Sequence, residues 1–214
     1  MAPTRDKLRS IKKRRRAAAA YDKRTAATWP IRLRCIDLLR LSKGETVLDV
    51  GCGTGLSFEL LLEHVGRGGK LIAFEHRPVL YRQAQQRAQG LRAQGWQIEV
   101  QRASAEQVKL NDCPDAALFH YVHDISRTPE AVRNLFSQLP PGTRIAIAGM
   151  KFFPWWLAPL NLFAWLKNGP HNVRSHELHR PWSMIETHLQ SFSWKPTQRG
   201  MGYIGSGRVR GTGL

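Results

Sequence analysis

Val47–Leu48–Asp49–Val50–Gly51–Cys52–Gly53–Thr54–Gly55 is an apolar run that carries one acid and then breaks into alternating glycines. Leu56 to Val65 follows with helical spacing. The stretch predicts a strand, a tight turn and a helix. Glycine at the turn allows positive φ and lets a ligand approach the backbone with no Cβ in the way. A second apolar run, Lys70–Phe74, ends in Glu75, 20 residues after Gly55. An acid placed there can accept both hydroxyls of a ribose. A dinucleotide site would read G-x-G-x-x-G, and a phosphate loop would read Gly-Lys-Ser/Thr. Here the spacing is G-x-G-x-G, followed by Leu56 and Ser57. The corner therefore predicts a nucleoside site without a pyrophosphate.

Outward from the corner, strands and helices alternate. Strands are predicted at Thr46–Val50, Lys70–Phe74, Gln97–Gln101, Asp115–His120 and Thr143–Ala148. Helices are predicted at Pro30–Leu41, Leu56–Val65, Pro78–Gln94 and Pro129–Gln138, with a further one around Met184–Leu189. In the first of these, Ile31, Cys35, Leu38 and Leu39 share one apolar face. Strands separated by helices need crossovers, hence a parallel sheet covered on both faces. Gln190–Trp194 and Met201–Ser206 predict an antiparallel end to that sheet.

Val47, Asp49, Gly51, Cys52, Gly53, Thr54 and Gly55 resemble motif I of the class I S-adenosylmethionine-dependent methyltransferases. The resemblance runs from about Gly44 to Met150 and includes Leu139–Pro140–Pro141–Gly142–Thr143 as the turn into the fifth strand. It implies an α/β, Rossmann-like fold with a seven-stranded, mostly parallel sheet and an antiparallel C-terminal strand. It implies S-adenosylmethionine as the cofactor. The glycine loop would approach the amino-carboxypropyl part, Glu75 and His76 the ribose, and Ser104–Ala105–Glu106 the adenine. Ser104 stands where the family often has Asp. Tyr21, in an upstream Tyr21–Asp22 pair, would fold over the cofactor, and His120 would close the pocket. The methyl group would point just past the fourth strand, toward Tyr121, His123 and Asp124. An imidazole with a pKa near neutrality suits the removal of a proton from an acceptor, so His123–Asp124 is the expected base. The strand lacks the Asn/Asp-Pro-Pro-Tyr/Phe motif of enzymes that methylate base amines; His120–Tyr121–Val122–His123–Asp124–Ile125 stands there instead. The pattern looks more like small-molecule, quinone and phospholipid methyltransferases.

Composition sets further bounds. At 214 residues the chain suits one large domain. Three cysteines, Cys35, Cys52 and Cys113, have no ligand spacing and make no disulfide framework, which fits a reducing cytosol. No zinc pattern, secretory signal or spanning apolar run is present. The net charge is +17, and residues 1–40 carry 13 Lys/Arg against 3 acids. Residues 1–28 read as a basic arm and cofactor-covering helix, 29–206 as the methyltransferase domain and 207–214 as a tail. The span 151–180 is an acceptor-binding insertion: Phe152 to Leu166 holds six aromatic residues and no charge. His171, His176 and His179 follow it and read as surface or packing residues. An uncharged aromatic cover favours a small apolar, aromatic or lipid-like acceptor. With the basic arm it also suits an anionic membrane surface at the inner face; nucleic acid is the weaker expectation, and oligomeric state is left open. The alternative is a cofactor-binding module that acts through its arm on RNA, or other sulfonium chemistry.

Overall fold

The computed structural model describes residues 28–151 and 180–211. The arm with Tyr21, the insertion with its aromatics, and His171, His176 and His179 lie outside the described residues. The chain runs α1 (Trp29–Leu38), β1 (Thr46–Val50), α2 (Phe58–Val65), β2 (Lys70–Phe74), α3 (Pro78–Ala93), β3 (Gln97–Gln101) and β4 (Ala116–His120). It continues with α4 (His123–Ser126), α5 (Pro129–Phe136), β5 (Arg144–Met150), α6 (Ser183–Glu186), β6 (Leu189–Thr197) and β7 (Gly202–Val209).

One seven-stranded sheet orders these as β3-β2-β1-β4-β5-β7-β6. The first five strands pair in parallel, while β7 is antiparallel to both β5 and β6. β1 pairs with β2 on one side and β4 on the other. The strand order therefore reverses at β1, and the crevice beyond its carboxyl end is where such sheets bind ligands.

Each face has its own apolar layer. Ile31, Cys35, Leu39, Phe58 and Leu61 pack on one side with Val47 and Leu71. Leu135, Phe136, Trp182 and Ile185 pack on the other with Leu48 and Phe119. Burying a side chain of this size is worth about 1.5–3 kcal/mol. Of the face expected on α1, Ile31, Cys35 and Leu39 are buried, whereas Leu38 is 38% exposed and Ile36 takes its place. Arg32, on the same helix, is buried as well.

The last two strands are longer than their apolar runs predict. β6 extends through Pro196 because it forms the sheet edge, where a missing backbone donor breaks no second ladder. A register shift between Gln190 and Ser193 lets it follow β7.

Arg144 ties the start of β5 to the other end of the layer. Its Nε donates to the Leu39 carbonyl at 2.7 Å, and its Nη2 donates to Glu45 Oε2. Both side chains are four-fifths buried. Arg144→Met is expected to lower unfolding free energy by about 2 kcal/mol, read by urea denaturation, because a charge-assisted bond is lost and Glu45 keeps its desolvation cost.

Candidate functional site

Gly51, Gly53 and Gly55 all have positive φ, at 58°, 61° and 81°. The turn is also too tight for side chains: a Cβ on Gly51 would sit 2.9 Å from both Val122 and Ile125, and one on Gly55 would sit 2.5 Å from the Phe58 ring. Three further bonds hold it. The Cys52 N–H donates to Phe74 O at 3.0 Å, Arg87 Nε donates to Thr54 O at 3.3 Å, and the Gly53 N–H donates to Glu75 Oε2 at 3.1 Å. The helix begins at Phe58 rather than Leu56 because these residues are spent on the turn.

Glu75 is 1% exposed at the end of β2. Arg77 brackets its carboxylate, donating from its backbone N–H at 2.8 Å, from Nε at 3.0 Å and from Nη2 at 3.3 Å. His76 Nδ1 stands 3.4 Å away, on a half-exposed ring. A ribose diol approaching Glu75 would have to share it with Arg77, so Arg77 belongs to this corner. The sequence pattern marked only the acid.

Asp49 is buried on β1, and its Oδ2 has no hydrogen-bond partner among the described residues. Burial pushes the Asp49 carboxyl up to about 7, against the pull of Arg32 and a hydrogen bond from Ser57. Arg32 Nη1 donates to the Ser57 hydroxyl. Arg32 was not singled out in the sequence, since a charge beside Ile31 reads as solvent-facing; only its three-residue spacing from Cys35 places it near the buried stripe.

Ser104–Ala105–Glu106 forms a turn after β3, with Ala105 buried and Glu106 exposed. The Val108 N–H closes it on Ser104 O at 2.9 Å. α5 fixes it from behind. Asn134 Nδ2 donates to Ala105 O and Val108 O at 2.9 and 3.0 Å, and Gln138 bridges Val108 O and the Leu110 N–H. Nothing in the motif pointed to Asn134 on α5 or to Gln138 in the turn just past it, whose Nε2 also donates to Asn134 O.

Beyond β4, His120 and Tyr121 have ring centres 4.8 Å apart, and Tyr121 and His123 6.0 Å. These side chains make the following contacts. His123 opens the short helix α4, and its Nε2 accepts the Met150 N–H at 3.1 Å. Burial, followed by Arg127, lowers its pKa to about 4. Asp124 is exposed on the same turn, and the imidazole is fixed by Met150 instead. His123 in this arrangement links α4 to β5 through Nε2, and its Nδ1 is buried with no hydrogen-bond partner among the described residues. Tyr121 has a φ of 59°, donates its hydroxyl to Gln198 Oε1 at 3.3 Å, and is pushed up to about 12 by burial. His120 is buried with Nε2 unpartnered among the described residues, and burial together with Arg32 holds its pKa well below the usual range.

A glycine turn with no room for a Cβ, a buried acid ending β2, and two orphaned polar atoms (Asp49 Oδ2 and His120 Nε2) meet at the reversal of this sheet order. The donor set fits a nucleoside bearing an ammonium group, and the architecture is that of the class I S-adenosylmethionine-dependent methyltransferases. The chain belongs to the protein-L-isoaspartate(D-aspartate) O-methyltransferase family, whose model its residues 18–149 match. It is 33% identical over 114 residues to a protein-L-isoaspartate O-methyltransferase of Aeropyrum pernix, covering 53% of this chain and 42% of that one. It is 36% identical over 109 residues to a 2-phytyl-1,4-naphtoquinone methyltransferase of Synechococcus elongatus, covering 50% and 46%. The chain thus spans about half the length of the curated relatives it matches. Among solved structures, a putative S-adenosyl-L-methionine-dependent methyltransferase of Methanococcus maripaludis superposes with a TM-score of 0.64 at 14% identity, covering 93% of this chain and 94% of that one. No helix among the described residues is long and apolar enough to cross a membrane.

A raised Asp49 pKa makes a signed stability claim. The folded state keeps this proton up to about pH 7, while the unfolded carboxyl, at 3.8, has lost it. The contribution of Asp49 is full below about pH 4 and is lost as pH rises through 7. In paired urea titrations of the wild type and Asp49→Asn, the stability difference should move against the wild type from pH 4 to pH 8. A flat difference would contradict the raised pKa.

Proposed function

We propose that this protein transfers a methyl group from S-adenosylmethionine to a small apolar or aromatic acceptor whose nucleophilic atom ionises without a strong base. The observation that carries the reading is the pair of orphaned buried atoms, Asp49 Oδ2 and His120 Nε2, where β1 and β4 part. A bound ammonium would satisfy the first, and the second lies at the end of β4, beside the Tyr121 ring. The cofactor supplies an electrophilic methyl on a sulfonium, whose departing sulfide is neutral.

The residues divide the remaining work. Gly51, Gly53 and Gly55 keep the backbone bare against the ligand, and Glu75, with Arg77, takes the ribose. The turn at Ser104–Ala105–Glu106, held by Asn134 and Gln138, takes the adenine edge. His120 and Tyr121 border the acceptor. Catalysis then rests on holding the nucleophile about 3 Å from the methyl carbon, in line. His120 and His123 are both neutral at pH 7, and Tyr121 is a neutral phenol. An acceptor that must lose a tightly held proton would find no ready base among these three. An acidic phenol, an enol or a carboxylate needs none. The uncharged aromatic stretch Phe152 to Leu166 supports an apolar acceptor, as does the similarity to a naphthoquinone methyltransferase.

A second reading follows from the family itself: the acceptor is the side-chain carboxylate of an isoaspartyl peptide. It also needs no base, and it differs in requiring a groove for a polar chain. Calorimetry with S-adenosylmethionine should give saturable binding that Glu75→Ala weakens tenfold or more. Product mass spectrometry should then find a gain of one methyl on a naphthoquinol or acidic phenol. Transfer to an isoaspartyl peptide alone would replace the first reading with the second.

The basic arm suits a peripheral role at an anionic membrane, where an apolar acceptor would reside. Deleting residues 1–20 should abolish co-sedimentation with phosphatidylserine vesicles at 0.1 M salt, and unchanged sedimentation would contradict that role.

A further inference from the structure

The turn Gln198–Gly200 joins β6 to β7 through a left-handed backbone. Five described non-glycine residues have positive φ, and three of them meet here: Gln198 at 49°, Arg199 at 55° and, facing the turn from the end of β4, Tyr121 at 59°. A side chain makes that conformation costly, and residues held in it gather at functional sites. Burial does not offset the cost, since Gln198 and Arg199 are both exposed. Glycine would relieve the strain at either position.

The turn achieves one placement. It sets the Gln198 amide against Tyr121, whose hydroxyl donates to Gln198 Oε1 at 3.3 Å. A bare backbone makes room for it. Gly202 pairs with Met150 at the end of β5, and a Cβ there would stand 2.9 Å from Gln198 Oε1. The Lys151 N–H donates to Met201 O at 2.9 Å and ties the turn to the chain leaving β5. The amide therefore stands at the carboxyl edge of β4 and β5, next to the His120–Tyr121 ring pair. A primary amide has an acceptor oxygen at one end and two N–H donors at the other. With Oε1 turned to Tyr121, Nε2 is the end left for a ligand, and it makes no hydrogen bond among the described residues.

We propose that Gln198 recognises the acceptor, donating from Nε2 to the ionised oxygen of a phenolate or enolate. This rests on the aromatic-acceptor reading above and supplies what that reading needs, a group that favours the ionised form where no base is at hand. N–H donors aimed at an anionic oxygen lower its proton affinity. The acceptor oxygen, its proton lost to solvent, bonds to the methyl carbon as the carbon–sulfur bond breaks and the sulfide leaves neutral. Tyr121 is the positioning residue that fixes which end of the amide faces the ligand. The other charged and titratable groups at this place are Arg199 on the turn, Lys151 after β5, His120 and His123 flanking Tyr121, and Arg32 and Cys35 of α1, which act on Tyr121. None of them is altered by a substitution at Gln198.

The test reads the ionisation of 4-nitrophenol, whose phenolate is coloured, on the full chain loaded with S-adenosylhomocysteine. No methyl can then move, and no sulfonium charge is present. The wild type should displace the phenol's ionisation by ~1 pH unit toward acid, about the effect of one charge-assisted bond. Gln198→Leu should remove most of that displacement. Gln198→Glu decides between roles. It still accepts the Tyr121 hydroxyl and keeps the turn tied, but a carboxylate has no N–H and repels an anion. It should move the ionisation back to the free phenol's value or beyond, and weaken phenolate binding tenfold or more. A Gln198→Glu protein that behaves like the wild type, or a wild type that displaces nothing, would overturn the assignment and leave Gln198 a tie between turn and sheet. Binding of S-adenosylhomocysteine without any binding of 4-nitrophenol would sink the aromatic-acceptor reading and this proposal with it. If S-adenosylhomocysteine does not bind, the cofactor reading fails, along with everything resting on it.

Discussion

The bond from the Gly53 N–H to Glu75 joins the turn after β1 to the end of β2, and the rest of the site is referred to it. It holds a left-handed glycine in place and orients the carboxylate with one oxygen toward the loop. Cys52 reinforces the junction by bonding to Phe74 O, so the turn cannot drift from the neighbouring strand. With the turn anchored on β2, Val122 and Ile125 from the far side of β4 can press against Gly51. The two strands that flank β1 therefore converge on one backbone segment. A side chain at Gly51 would push back on α4, and through the His123–Met150 bond on β5. The glycine corner and the segment after β4 are thus mechanically continuous.

The same continuity explains the state of the histidines. A ring that braces α4 against β5 is largely withdrawn from water, and a ring nitrogen that accepts a backbone N–H has reduced affinity for a proton. Gly149 leaves room for it, since a Cβ there would stand 2.6 Å from His123 Cε1. The contact with Met150 and the lowered pKa both act against proton uptake at Nε2 of His123.

Much of this was legible in the chain. β1, β2 and β3 lie where their apolar runs placed them, because each run is short and bounded by glycine or charge; β1 and β2 are buried on both faces, while the edge strand β3 alternates buried Ile98 and Val100 with more exposed neighbours. The glycine corner and Glu75 were legible because few side chains satisfy those positions. Arg32 was not, because helical periodicity assigns a charged residue to water and its burial depends on Ser57, which is distant in sequence. Arg77, Asn134 and Gln138 escaped for the same reason: each acts on a backbone or carboxylate group that only the folded sheet brings within reach. The sequence also could not show that Met150 would take up the His123 nitrogen. Until β5 is laid beside β4, His123 looks like any neutral histidine in a loop.

The family match ends at residue 149, one residue before β5 ends, and the aromatic stretch begins at Phe152. That boundary has a physical counterpart. Up to β5 the chain is constrained by positive φ, by sub-van-der-Waals room around glycines and by buried polar groups, and few substitutions survive such limits. A cover for an apolar acceptor needs only the right area and the right polarity, which many sequences provide. A protein-L-isoaspartate O-methyltransferase and a 2-phytyl-1,4-naphtoquinone methyltransferase each match this chain over only about half of its length. The aromatic, uncharged stretch of residues 152–166 lies wholly beyond the part of the chain that the family model matches, so membership of the family sets no constraint on it.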